Sequence, residues 1–109
     1  MDLVVVLVTA SDADVAARIA RTLVVERLAA CGNIVPGLRS VYAWEGEVKV
    51  DDEVLLVLKT RPERVADLTR RVVELHPYDL PEVVALPVQG GHAPYLAWVG
   101  ASVDPATPS

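Results

Sequence analysis

Three segments of this chain are apolar on both parities of an extended strand: "LVVVLV" (residues 3–8), "VLLVL" (residues 54–58) and "VVALPV" (residues 83–88). Runs of this length, rich in β-branched residues, fall far short of a membrane span and read as strands buried on both faces. Between them, apolar residues recur at helical spacing. Val15, Ile19 and Leu23 follow one another every four residues, with Ser11 placed to cap the helix and Asp12 and Asp14 in the first turn, the charge sign that the helix dipole favours. This helix is predicted to end near Ala30, before Gly32. Val65, Leu68, Val72 and Leu75 form the apolar face of a second helix. Residues 60–63 have the Thr-x-x-Glu form of a capping box, with Pro62 in the first turn. Pro77 disfavours helical geometry in the residue before it, so the second helix is predicted to stop near His76.

Residues 33–44 start irregularly at Pro36-Gly37 and then alternate, with Leu38, Ser40, Tyr42 and Trp44 on one parity. Glu45-Gly46-Glu47 is a tight turn, and residues 48–59 return as the second arm of a long hairpin. The acidic run Asp51-Asp52-Glu53 in that arm lacks calcium-loop spacing and reads as a solvated strand edge. Residues 82–88 make a fourth strand and residues 93–103 a short closing helix. The order β-α-β-β-α-β plus a terminal helix predicts an α+β fold of the split βαβ, or ferredoxin-like, type. Its sheet order is 4-1-3-2, with both helices on one face. A single domain is expected over residues 1–103, with residues 104–109 as a flexible tail. This topology places His76, Tyr78 and Glu82 near Val8 and Thr9, with Cys31 and Lys59 at the opposite edge.

Two helices on one face leave the second face bare, yet the strands are apolar on both. At least five large side chains then point away from the helices. Leaving them wet forgoes about 1.5–3 kcal/mol each, roughly 8–15 kcal/mol together. That rivals the whole net stability of a domain, about 5–15 kcal/mol. A second copy of the same sheet is the expected cover, and the terminal helix or the hairpin is the alternative.

The 109 residues are 52% hydrophobic and 23% charged, with a net charge of −5, which excludes disorder and predicts no nucleic-acid partner. The single cysteine, Cys31, permits no internal disulfide and fits a reducing cytoplasm; no membrane association is expected. There is no Gly-rich phosphate loop, HExxH or CxxC pattern, and no convincing nucleophile–base pair, so the chain reads as no enzyme.

Residues 26–48 ("ERLAACGNIVPGLRSVYAWEGEV"), residues 58–60 ("LKT") and residues 75–88 ("LHPYDLPEVVALPV") closely resemble the CutA family of divalent-cation tolerance proteins. The resemblance runs from about Val4 to Ser102. It implies a cytoplasmic ferredoxin-like homotrimer whose long hairpins reach across to neighbouring subunits. In assembly it is similar to the PII signalling trimers, without their nucleotide-binding loop. It also implies a link to copper tolerance and divalent-metal binding. Some members proposed to bind copper have a cysteine late in the first strand and a His-His pair before the Pro-Tyr. Here those positions are Val8 and Leu75-His76. A soft thiolate and one imidazole are missing, so any divalent cation such as Cu2+ is expected to bind weakly.

The candidate metal ligand is therefore His76, which could equally cap a helix end through exposed carbonyls. Tyr78 and Glu82 flank a loop fixed by prolines and are candidates for contacting a small ligand; the opposing reading is a rigid corner. Lys59, a charge ending an apolar strand, needs a partner, and a neighbouring subunit's copy of Glu82 is one option. Trp44, with Tyr42 near the hairpin tip, is a candidate either for stacking on a ligand or for clamping a neighbouring subunit. Cys31 reads as small buried filler, and Trp98 as packing. The leading functional expectation is a non-enzymatic homotrimer holding a divalent ion or small ligand in clefts between subunits. The alternatives are an enzyme with a shared interfacial site, using His76 as base, or a scaffold trimer that docks other proteins.

Overall fold

The computed structural model describes residues 2–106. Four strands and three helices follow the order β1 (Val4–Ala10), α1 (Ala13–Val25), β2 (Cys31–Trp44), β3 (Glu47–Thr60), α2 (Val65–Leu75), β4 (Val84–Pro87) and α3 (Ala93–Ser102), with one 3₁₀ turn at Pro62–Arg64 before α2. The sheet is antiparallel, in the order β2-β3-β1-β4. This is the predicted 4-1-3-2 arrangement read from the other edge.

The register separates two faces. Val6 pairs with Leu58 and Val8 with Leu56, and all four are fully buried against Ile19 and Leu23 of α1 and Leu68 and Val72 of α2. Gly32 lies opposite Leu58 on the same face. A Cβ there would sit 3.0 Å from Ala20 Cβ and 3.1 Å from a Leu58 methyl, so the close approach of α1 to the sheet requires glycine at this position. On the other face, Leu7 pairs with Val57 and Val84, and Thr9 with Leu55. Only one end of that face is covered by α3, whose Val99 and Val103 pack with Leu3 and Ala30. Val35, Val84 and Leu86 remain 45–47% exposed. The terminal helix is thus a partial cover, and the sequence-based inference of a bare apolar face holds for this chain.

Several local expectations are corrected. Asp12, not Ser11, caps α1: its carboxylate accepts the Val15 N–H at 2.9 Å. α1 ends at Val25 rather than near Ala30, because Arg27 turns into the left-handed region (φ 61°) and the Leu28 and Ala29 N–H groups both fold back to the Leu23 carbonyl. The capping box does not form. The Thr60 hydroxyl instead donates to the Leu28 carbonyl at 2.7 Å, tying the end of β3 to the loop after α1, and α2 has no side-chain cap. β2 begins at Cys31, two residues earlier than predicted, with the irregularity inside it as a bulge between Val35 and Leu38, where Gly37 takes φ +82°. Trp98 is 49% exposed, with its ring against Tyr95, so it packs only in part within the described residues. At the C-terminus the Asp104 carbonyl accepts Arg27 Nη2 at 2.9 Å and its carboxylate meets Arg61 Nη1 at 3.3 Å. Of the tail expected over residues 104–109, residues 107–109 lie outside the described residues.

Candidate functional site

α2 stops where Pro77 requires. His76 leaves helical geometry (φ −78°, ψ 135°), and its N–H makes the last helical bond, to the Val72 carbonyl at 2.8 Å. The extended backbone turns its ring into the end of the sheet, where it is only 6% exposed. The Tyr78 amide donates to Nδ1 at 3.1 Å, so Nδ1 carries the lone pair. Nε2 must then carry the proton, which it donates to the Thr9 carbonyl at 2.8 Å. Both ring nitrogens are thus engaged, in a pattern that a single tautomer satisfies.

This bond pins Tyr78, whose ring lies 4.5 Å from that of His76, and aims its hydroxyl at β3. The Tyr78 hydroxyl donates to Glu53 Oε2 at 2.7 Å. Burial, then the bond to Glu53, pushes the Tyr78 hydroxyl well above the ordinary tyrosine range. Across the hairpin, the Tyr42 hydroxyl donates to the Asp51 carboxylate, and that bond is the main reason its pKa is raised. Glu45 and Gly46 turn the hairpin with φ of 50° and 80°. The resulting register brings Ser40 beside Asp51 and Tyr42 beside Lys49.

Between the hairpin and the 77–82 loop lies a cleft of about 720 Å³. Tyr42, Trp44 and Tyr78 contribute aromatic surface to it. Asp51, Glu53, Asp79 and Glu82 contribute carboxylates, and no Lys, Arg or His lines it. By register the cleft opens on the bare side of the sheet: Thr9 lines it, and Glu53 is two residues from Leu55, Thr9's partner.

Of the sequence-predicted residues, Trp44, Tyr78 and Glu82 meet at this cleft, with His76 directly behind it. Lys59 does not join them. It sits at the far end of the sheet, paired with Val5 and Cys31, where its Nζ donates to Asn33 Oδ1 at 2.8 Å and lies 5.8 Å from the Tyr95 ring centre. Cys31 is half-buried there, its Sγ 3.5 Å from the Tyr95 hydroxyl. The acidic run is not uniformly solvated, as the sequence had suggested. Asp51 and Asp52 are exposed, but Glu53 is only 9% exposed. The signal that could have found Tyr42, Asp51 and Glu53 is the hairpin register itself: closing the turn at Glu45-Gly46 sets tyrosine and carboxylates on one face. Among the described residues, no group of three or more His, Cys, Asp or Glu side chains converges as a metal cage.

Comparison with known proteins agrees with both the fold and these motifs. The CutA1 divalent ion tolerance protein family matches residues 4–102. A divalent-cation tolerance protein CutA from Thermus thermophilus is 54% identical over 95 residues, covering 87% of this chain and 92% of that protein. A chloroplastic CutA 1 from rice is 49% identical over 96 residues, which are 88% of this chain but only 54% of the rice protein. The crystal structure of CutA1 from Oryza sativa superposes with a TM-score of 0.92 at 45% identity, over 97% of each chain. The chain therefore belongs to the CutA1 divalent ion tolerance family.

Proposed function

We propose that this protein is a non-enzymatic homotrimer that binds a divalent cation or a small ligand in clefts between its subunits, in a PII-like signalling or metal-homeostasis role. The observation that carries this reading is the juxtaposition of a bare apolar sheet face with an open, pre-shaped acidic cleft beside it. Leu7, Leu55 and Val57 are half-buried, and Val35, Val84 and Leu86 lie exposed around them. Half-buried and exposed aliphatic side chains gathered on one sheet face are the kind of surface that another chain covers. The number three comes from the family resemblance. In such an assembly the hairpin, whose Val41, Val48 and Val50 are 58–75% exposed, is the arm that reaches a neighbour.

The residues at the family's copper-ligand positions do not favour copper. The thiolate position is Val8 and the second imidazole position is Leu75. A copper ion at His76 would displace the Tyr78 amide from Nδ1, the nitrogen with the lone pair. Copper binding at His76 is accordingly weak in this reading. No side chain at the cleft pairs a nucleophile with a free base, which supports a binding role over catalysis. No helix among the described residues is long and apolar enough to cross a membrane. A single cysteine is consistent with a reducing compartment, and we place the protein in the cytoplasm. Native mass spectrometry of protein purified without added metal tests the reading, since it reports subunit count and retained ligand together. A trimer is expected; a bare species of 11.7 kDa would overturn the proposal.

A further inference from the structure

We propose that the cleft between the hairpin and the 77–82 loop is a receptor for an extended organic cation of the alkyl polyamine class, and that it is closed to anionic ligands such as nucleotides. The inference rests on the ligand-binding reading above and names the ligand class.

Charge gives the first argument. Asp51 and Glu53 stand on the hairpin wall, Asp79 and Glu82 on the loop wall, and the cleft has no cationic side chain of its own. A phosphate group entering it would meet like charge on both sides. Glu53 gives the second. It is nine-tenths buried, its one hydrogen-bond donor is the neutral Tyr78 hydroxyl, and no Lys, Arg or His among the described residues lies within ion-pairing distance. A carboxylate taken out of water without a countercharge loses hydration that a neutral hydroxyl only partly replaces. An incoming ammonium group supplies the missing charge.

The walls and the size separate an organic cation from a metal ion. Tyr42, Trp44 and Tyr78 line the cleft with aromatic surface suited to an ammonium and its methylenes, a surface a hydrated metal ion does not use. The hydroxyls of Tyr42 and Tyr78 already occupy Asp51 and Glu53, so bare carboxylates do not converge on one point. The cleft, about 720 Å³, lies within the usual span of small-molecule sites, about 300–1,000 Å³. Carboxylates on two opposite walls fit two separated charges joined by an apolar spacer.

The test is a calorimetric titration of spermidine, with ATP as the anionic comparison, into the native oligomer at low ionic strength. Glu53→Gln and Asp51→Asn probe the cleft. Glu74→Gln, on the exposed surface of α2, makes the same change in net charge elsewhere. Saturable spermidine binding is expected in native protein and in Glu74→Gln, weaker by about tenfold or more in Glu53→Gln, with no heat from ATP. Trp44→Leu, at the exposed hairpin tip, serves if Glu53→Gln does not fold, and is expected to weaken binding too. Absence of spermidine binding overturns the proposal, as does equal affinity in native and cleft variants, or an equal loss in Glu74→Gln. A trimer that retains a metal ion but ignores spermidine sinks this inference and leaves the ligand-binding reading standing, whereas a bare monomer sinks both.

Discussion

Val6, Val8, Leu56 and Leu58 face the helices and are fully buried, while Leu7, Leu55 and Val57, one residue away on the same strands, are only half-buried. Both sets are aliphatic, and both belong to the same antiparallel ladder. The difference lies in what each face meets. On one side α1 and α2 complete a core within the chain; on the other, α3 covers a single end. An apolar residue is therefore no guide here to an apolar environment. One face is closed by the chain's own helices, and the other is left largely bare.

The sharpest way to break this comparison is to cut the same side chain from each face. Leu56→Ala is expected to cost about 2–5 kcal/mol, because the cavity forms inside a closed core, and to do so at any protein concentration. Leu55→Ala should cost less in dilute protein, with a loss that grows as concentration rises and copies associate. Chemical denaturation across a concentration series measures both. Equal, concentration-independent losses would mean that the second face is not an interface.

A charge on the bare face should separate assembly from folding. Val84→Asp, on β4 at 45% exposure, is expected to leave the far-ultraviolet circular dichroism unchanged. Light scattering coupled to gel filtration should move towards 11.7 kDa. An unchanged assembly mass would place the contact elsewhere, for instance on the hairpin.

The architecture was legible in the sequence because period and proline are local signals. Strands apolar on both parities, two helical faces and the Pro77 stop were enough to order the sheet and to place His76 at the Thr9 end. What the sequence hid depends on partners distant in the chain. Thr60 looked like a cap because Glu63 follows at the right spacing, yet its hydroxyl is taken by the Leu28 carbonyl, 32 residues away. Glu53 looked solvated beside two exposed aspartates, but the 77–82 loop folds over it and Tyr78 bonds it from 25 residues away. Lys59 was expected at the opposite edge with Cys31, and the sheet holds it there; what stayed hidden was its partner, the Asn33 side chain 26 residues away.

At the cleft end, His76 joins β1 to the loop through two hydrogen bonds made by one buried ring. His76→Ala strands the Thr9 carbonyl and the Tyr78 amide together, and about 1–3 kcal/mol of stability is expected to go with them. The same variant tests copper. Calorimetric titration of native protein should show weak binding that His76→Ala abolishes; equal affinity in the two would remove His76 from any copper site.

The smallest expected effect distinguishes the two ends of the sheet through their tyrosines. Tyr42 and Tyr78 donate to carboxylates at the cleft, and Tyr95 meets the Cys31 thiol at the far end. All three are raised above the ordinary value of about 10, Tyr42 chiefly by Asp51, Tyr78 chiefly by burial, and Tyr95 chiefly by its bond to Cys31. A raised phenol keeps its proton in the fold after the unfolded chain has lost it. Its contribution to stability is thus complete below about pH 10 and fades as pH climbs through the folded-state values. Tyrosinate absorbance of the native protein should lag behind that of the denatured chain, with Tyr78 last, since it alone combines marked burial with a carboxylate acceptor. Glu53→Gln replaces that acceptor's charge and should bring Tyr78, and to a lesser extent Tyr42, partway down while leaving Tyr95 in place. A titration curve indifferent to Glu53→Gln would mean that the Tyr78–Glu53 bond does not hold the loop to β3 in solution, and the cleft would lose the contact that shapes it.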